Sequence, residues 1–251
     1  MKGIILAAGY ATRLYPLTLN RAKALLPVHG RPIIDYIVDE MNTLDDLDQI
    51  AVISNHRFAD QFAEWAERRR RTDRPGSLPI VVLDDGTMSE ADRLGAIGDI
   101  QFGIEKLHIQ DDLLIIAGDN LFTYRLRDAW NHFRAHGEDM ILARSMPPGE
   151  DLRRYAIAVL DDQGRVQDLA EKPAQPKSNL AVFATYFYCR ETAPLIGQYL
   201  REGNKPDAPG HFPVWLYQRK PLRCFLFDGL CIDIGTPESY AEVEKIFPVR
   251  P

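Results

Sequence analysis

Short apolar runs of strand character alternate with helical periodicity through the first half of the chain, and this alternation restricts the fold more than any other feature of the sequence. Gly3–Ala7, Gln49–Ser54, Ile80–Leu83 and Leu113–Ala117 read as strands, with helical patterns over Ile33–Leu44, Arg57–Arg70 and Leu94–Leu107 between them. Strands joined by helices pair in parallel, so the pattern predicts an α/β fold: a mostly parallel, doubly wound, Rossmann-like sheet with helices on both faces. In such a sheet ligands bind beyond the carboxyl ends of the strands, which directs attention to the segments that begin at Ala8 and Gly118.

After a further helical pattern over Leu126–His136 the organisation changes. Ala156–Asp161 and Val166–Ala170, separated by Asp162-Gln163-Gly164, read as a β-hairpin. A strand over Leu180–Tyr188 and a helix near Thr192–Leu200 follow, then a Gly/Pro/Asn-rich loop from Gly203 to Pro213. Strands around Leu222–Phe227 and Cys231–Ile234 and a closing helix over Pro237–Ile246 complete the reading. A small antiparallel insertion in the second half is therefore expected. With no repeat, low-complexity tract or clear linker, residues 1–251 read as a single domain.

At 251 residues and 45% hydrophobic the chain can bury a sizeable core. A net charge of -6, without a basic face interleaved with aromatics, argues against nucleic acid as a partner. The basic run Arg68–Arg71 follows an amphipathic stretch and reads as a helix C-terminus, where cations complement the dipole. Cys189, Cys224 and Cys231 lie in apolar segments without metal-ligand spacing and are expected to be small buried thiols, which suits a reducing cytoplasm. Neither a signal peptide nor an apolar run of about eighteen residues is present, so no membrane association is expected.

The segment Leu6-Ala7-Ala8-Gly9-Tyr10-Ala11-Thr12-Arg13-Leu14 opens a loop of about twenty residues, a length that usually marks function. Small residues at 7 to 9 let backbone amides approach phosphate oxygens, and Arg13 and Lys23 add two cations. A triphosphate needs this combination, because transfer at phosphorus depends on cancelling charge on the transferred and leaving groups. Alone, the loop reads equally well as a tight turn with a surface arginine. There is no G-x-G-x-x-G opening a helix and no Walker lysine, so dinucleotide oxidoreductases and P-loop kinases lose ground.

Leu6–Leu14, followed by Tyr15-Pro16-Leu17-Thr18 and Lys23-x-Leu25-Leu26-Pro27-Val28, resembles the signature of the sugar-1-phosphate nucleotidyltransferases, which include glucose-1-phosphate thymidylyl- and uridylyltransferases. The resemblance continues through Gly118-Asp119-Asn120, Glu171-Lys172-Pro173 and Asp233-Ile234-Gly235-Thr236-Pro237-Glu238, in order and over nearly the whole chain. It implies that a nucleoside triphosphate, UTP or dTTP ahead of CTP, and a sugar 1-phosphate are joined with release of pyrophosphate. It further implies that Asp119 and Asp233 hold Mg²⁺, Arg13 and Lys23 meet the triphosphate, and Leu6, Ala7, Ala8, Gly9 and Gly95 bind the nucleotide. Gly118, Glu171 and Lys172 are implied for the sugar phosphate. Read one at a time without the resemblance, Asp119 is more readily a turn or cap aspartate, Asp233 a cap before Gly235, and Glu171-Lys172 a surface ion pair. No dedicated base is needed, since a phosphate monoester is largely dianionic at neutral pH; the six histidines are assigned no chemistry.

Some positions depart from the family pattern. Ala22-Lys23-Ala24 replaces a frequent Pro-Lys-Pro, which leaves the backbone freer, and Ala11 replaces a frequent glycine, so that position must tolerate a Cβ. Ala184 stands where many relatives have glycine against the sugar. The sequence does not place the glutamine that often assists base reading, and Glu90 or Asp85-Gly86-Thr87 is expected in its region. Glu171 and Lys172, as neighbours on a strand, reach one ligand only if the chain bends at Pro173. The resemblance also suggests a homo-oligomer, although no apolar face identifies an interface. Two other classes compete: a catalytically silent regulatory or nucleotide-sugar-binding relative, disfavoured by retention of the charged residues, and a glycosyltransferase, disfavoured because Asp84-Asp85 and Asp111-Asp112 lack Asp-x-Asp spacing.

Overall fold

The computed structural model describes residues 1–249. The chain begins with β1 (Lys2–Leu6), then a long connection with two 3-10 turns, Thr12–Leu14 and Lys23–Leu25, and a minimal hairpin of β2 (Pro27–Val28) and β3 (Arg31–Pro32). Next come α1 (Ile33–Met41), β4 (Gln49–Ser54), α2 (Ala59–Thr72), β5 (Ile80–Asp84), α3 (Ala96–Lys106), β6 (Leu113–Ala117) and β7 (Asn120–Phe122). The second half runs α4 (Leu126–His136), β8 (Asp139–Ser145), β9 (Ala156–Leu160), β10 (Val166–Glu171), β11 (Leu180–Tyr188) and α5 (Ala193–Arg201). It ends with α6 (His211–Leu216), β12 (Leu222–Leu226), β13 (Cys231–Asp233) and α7 (Pro237–Ile246). The fold is α/β, with parallel strands joined by helices and a few antiparallel strands, as the alternation predicts.

The chain forms two compact units: Met1–Leu94 with Ile116–Leu126 and the chain from Gly229 onward, and Gly95–Ile115 with Arg127–Asp228. In the first, β1 pairs in parallel with β4 and β4 with β5, Ile4 opposite Ala51 and Val52 opposite Val82. Ile4, Ile5, Ile50, Val52 and Ile53 are fully buried, the near-continuous apolar pattern expected of strands covered on both faces. A second, antiparallel pair sets β13 against β7 with Asp233 opposite Asn120.

Behind that pair lies a core of Leu14, Leu26, Val28, Ile33, Tyr36, Leu121, Ile234, Val243 and Phe247. It joins the loop after β1 to α1 and α7. Tyr36 stacks edge-on against Phe247 at 5.3 Å, and its hydroxyl donates to the Val28 carbonyl. Tyr240 on α7 likewise donates to the carbonyl of Pro27 at 2.6 Å. Helix α7 is started by Thr236, whose hydroxyl accepts from Ser239 N while Ser239 Oγ accepts from Thr236 N. This capping box relieves Asp233 of any capping duty.

In the second unit β8 lies between β11, antiparallel, and β12, parallel, and β9 and β10 form the expected hairpin. The sequence reading assigns no strand to β8, because Met140–Ala143 is a short uniform apolar run without period. It is a strand because both its edges are paired. The reading also places α6 inside a loop; packing of Phe212, Trp215 and Leu216 outweighs the local Gly/Pro composition, and Pro213 is tolerated in the first turn. Helix α3 begins at Ala96 and not Leu94 because Gly95, at φ 78°, cannot be helical. All three cysteines are buried, as expected. At the end of α2, Arg70 and Arg71 pair with Glu67, whereas Arg69 turns inward to Asp39 and Asp73.

Phe247→Ala should remove about 3–5 kcal/mol of stability in urea unfolding, the usual cost of emptying a buried phenylalanine site. A loss below about 1 kcal/mol would mean that α7 is not anchored through this core.

Candidate active site

The loop after β1 is built to present backbone. Ala7 N donates to the Ile53 carbonyl at 2.9 Å, and the Ala8 carbonyl accepts from Asn55 Nδ2 at 2.8 Å, so both residues are fixed against the end of β4. Gly9 faces open space: a Cβ there would meet nothing within 4 Å. Ala11 adopts left-handed φ 49°, a conformation that costs a residue with a Cβ of order 1 kcal/mol. Its carbonyl repays part of this by accepting from Thr18 Oγ1 and Leu14 N. Arg13 is exposed and makes no hydrogen bond or ion pair among the described residues.

Lys23 is held differently from the freer backbone expected of Ala22-Lys23-Ala24. Ala22 N donates to Gln61 Oε1, Leu25 N to the Ala22 carbonyl and Leu26 N to the Lys23 carbonyl, and both alanines are buried. Hydrogen bonds and burial do here what prolines do elsewhere, and the amide used at Ala22 is one that proline lacks. The Lys23 side chain is 14% exposed; its Nζ lies 2.6 Å from Asp119 Oδ2 and 3.3 Å from Asp233 Oδ1.

Asp119 follows the glycine that turns the chain off β6. Gly118 N donates to the Leu6 carbonyl at 2.8 Å, and a Cβ at 118 would stand 2.9 Å from that oxygen. Glycine is thus required for the close approach that brings Asp119 beside the end of β1. Asp233 arrives through the β13–β7 register. Desolvation and the like charge of Asp119 push its carboxyl above the ordinary range, opposed by Lys23 and Arg13. With 62% of the Asp233 side chain open to solvent, repulsion from Asp119 is the stronger physical cause. Lys23 is held above its ordinary value: burial lowers it, and the two carboxylates more than offset this.

In the second unit Glu171 and Lys172 do come together, Nζ 3.8 Å from Oε1. The bend lies at Lys172 itself, at φ 48° with its N–H on the Tyr155 carbonyl, and not at Pro173 as the sequence reading has it. Glu171 is largely buried, Lys172 exposed. A Cβ on Gly210 would stand 2.2 Å from Glu171 Oε2, so glycine there makes room for the carboxylate. Gly95 is also required by the protein itself, since its Cβ would fall 2.7 Å from the Pro206 carbonyl oxygen. Ala184 lies where the β11–β8 register slips between Phe183 and Tyr186.

Sequence reasoning missed the support beside the loop after β1. His56, just past the carboxyl end of β4, places Nδ1 2.6 Å from Asp84 Oδ2 at the end of β5. Its N–H donates to the Thr87 carbonyl, and Thr87 Oγ1 is 3.2 Å from the Tyr10 hydroxyl. Thr12 Oγ1 donates to Glu90, so the 85–92 segment lies along the loop. The usable signal was position: His56 follows β4 as Ala7 follows β1.

The Asp84 hydrogen bond holds His56 above the ordinary imidazole range. A group raised on folding favours the fold below its ordinary value and loses that contribution as pH rises through the shifted one. An NMR titration should therefore find His56 protonated above about pH 6.5, its reference value, with Asp84→Asn bringing it down. Titration at or below the reference in the wild type would show that the pair does not form.

Comparison with known proteins gives a consistent picture. A match to the nucleotidyl transferase family spans residues 2–248. A Sulfolobus acidocaldarius protein provisionally named mannose-1-phosphate guanyltransferase is 28% identical over 97% of this chain and 62% of its own length, so this chain spans under two thirds of that relative. The Haloferax volcanii UTP–glucose-1-phosphate uridylyltransferase is 25% identical over 98% of this chain and 96% of its own. Among solved structures, a Bacillus anthracis protein provisionally named glucose-1-phosphate thymidylyltransferase, in complex with sucrose, superposes with a TM-score of 0.76 at 26% identity, covering 98% of this chain and 94% of that one.

Proposed function

Because the chain belongs to the nucleotidyl transferase family, we propose that it transfers the nucleoside monophosphate of a nucleoside triphosphate, UTP or dTTP in preference, to a sugar 1-phosphate. A sugar-phosphate oxygen attacks the α-phosphorus; the bond to the β-phosphate breaks and pyrophosphate leaves. The relatives named above act, by their names, on different nucleotides, so the base preference rests on the sequence resemblance alone.

The observation that carries this reading is the convergence of Asp119 and Asp233 on one ammonium beside the phosphate loop. The donors are all oxygen, and two carboxylates with water and phosphate oxygens to complete the shell suit Mg²⁺. No group of three or more His, Cys, Asp or Glu among the described residues offers another metal site. Bound there, Mg²⁺ would supply charge cancellation on the reacting phosphates.

The chain's own residues supply placement. Backbone from Leu6 to Gly9 approaches the phosphates, Arg13 takes the β- and γ-phosphates, and Lys23 the α-phosphate. Gly95 is assigned to the base, Gly118 and Glu171 to the sugar, and Lys172 to its phosphate. The monoester arrives as a nucleophilic dianion, so orientation and electrostatics account for rate without a proton acceptor. We further propose that residues 1–251 act as one nucleotidyltransferase domain, working in the cytoplasm and as a homo-oligomer. Among the described residues no helix is long and apolar enough to cross a membrane.

Pyrophosphate release, measured over a matrix of nucleoside triphosphates and sugar 1-phosphates with Mg²⁺, should require both substrates and be highest with UTP or dTTP. Asp119→Asn and Asp233→Asn should each lower it by about a hundredfold or more. Release without the sugar phosphate, or full activity in both variants, would defeat the reading.

A further inference from the structure

Lys23 reaches two carboxylates that lie 96 and 210 residues away in the chain. Its ammonium stands between them, at 2.6 Å and 3.3 Å, taking lone pairs that an ion bound to both aspartates would also need. A divalent cation on those oxygens would place three positive charges within a few ångströms. On those oxygens the two occupants compete, for lone pairs and through like charge.

The backbone of Lys23 cannot make way, since Ala22 N is bonded to Gln61, Leu26 N to the Lys23 carbonyl and Ile33 N to the Leu26 carbonyl. The side chain can. A lysine is a compact charge on four flexible carbons, with three donors that pair with carboxylate or phosphate alike. Arg13, another cation of the loop, makes no ion pair among the described residues and bonds neither aspartate.

We propose that Lys23 is a placeholder for the cation: a positioning residue that holds Asp119 and Asp233 together and must release them before a divalent ion binds. The proposal rests on the reading that these two aspartates carry the cation. Its consequence is order. Cation affinity stays low until an anionic phosphate gives the ammonium a new partner, so nucleotide and cation reinforce each other through one side chain. A permanent structural ion pair, the plainer account, predicts no such competition.

The test is Mn²⁺ binding to the full chain by electron paramagnetic resonance, without nucleotide, together with thermal melts. Lys23→Met should bind Mn²⁺ about tenfold or more tightly than wild type, within the ordinary range of coupling between ligands. Arg13→Met, which also removes a charge felt by Asp233, should change affinity less than about threefold, separating displacement from a general field effect. Lys23→Met should melt lower than wild type, with Mn²⁺ restoring much of the loss because it replaces the missing positive charge. Equal affinity in Lys23→Met and wild type, with binding abolished in Asp119→Asn, overturns the placeholder and leaves the metal site standing. Affinity unchanged in Asp119→Asn, or no Mn²⁺ binding in any variant, overturns both.

Discussion

Two carboxylates that would repel each other are held within reach of a single ammonium, and much of the first unit serves that arrangement. Asp119 is placed by Gly118, whose missing side chain lets the chain pass against the Leu6 carbonyl. Asp233 is placed by pairing with Asn120, and β13 leads directly into the capped α7. Lys23 is placed by a 3-10 turn whose ends are bonded to α2 and to the start of α1. The common core of Val28, Ile33, Tyr36, Ile234 and Phe247 ties these segments together, so burial of apolar surface sets the position of charged groups that would not otherwise stay close.

The loop also shows how alanines are held in defined backbone conformations by hydrogen bonds. Ala11 keeps a left-handed backbone although it carries a Cβ, and two hydrogen bonds to its carbonyl help hold it there. Ala22 gains a donor that a proline would lack and uses it on Gln61. Ala11 is held by Leu14 and Thr18 of its own loop and Ala22 by Gln61 on α2, so backbone propensity alone overstates the freedom of the loop.

Legibility in the sequence followed the physics of each signal. Long elements with clear period or both faces covered, such as β4, β6, β11, α4 and α7, were readable to the residue, and the order of strands and helices gave the fold class. Strand β8 and helix α6 were not, because each owes its form to neighbours rather than to its own pattern. The charged residues of the site were readable as types and spacings. Their partners were not: no pattern announces that Lys23 bridges Asp119 and Asp233, that Lys172 supplies its own bend, or that His56 meets Asp84 across two strand ends. Gly95 carries a demand that no sequence pattern announces: its packing against Pro206 requires glycine whatever the residue does toward a ligand.

The most direct test of the account is anomalous diffraction at the manganese edge from crystals grown with Mn²⁺ and a non-hydrolysable nucleoside triphosphate. The account predicts a manganese peak between Asp119 and Asp233, the triphosphate over Ala7 to Gly9, and Lys23 turned from the carboxylates to a phosphate oxygen. A peak elsewhere, or Lys23 still bonded to both aspartates with nucleotide bound, would contradict it.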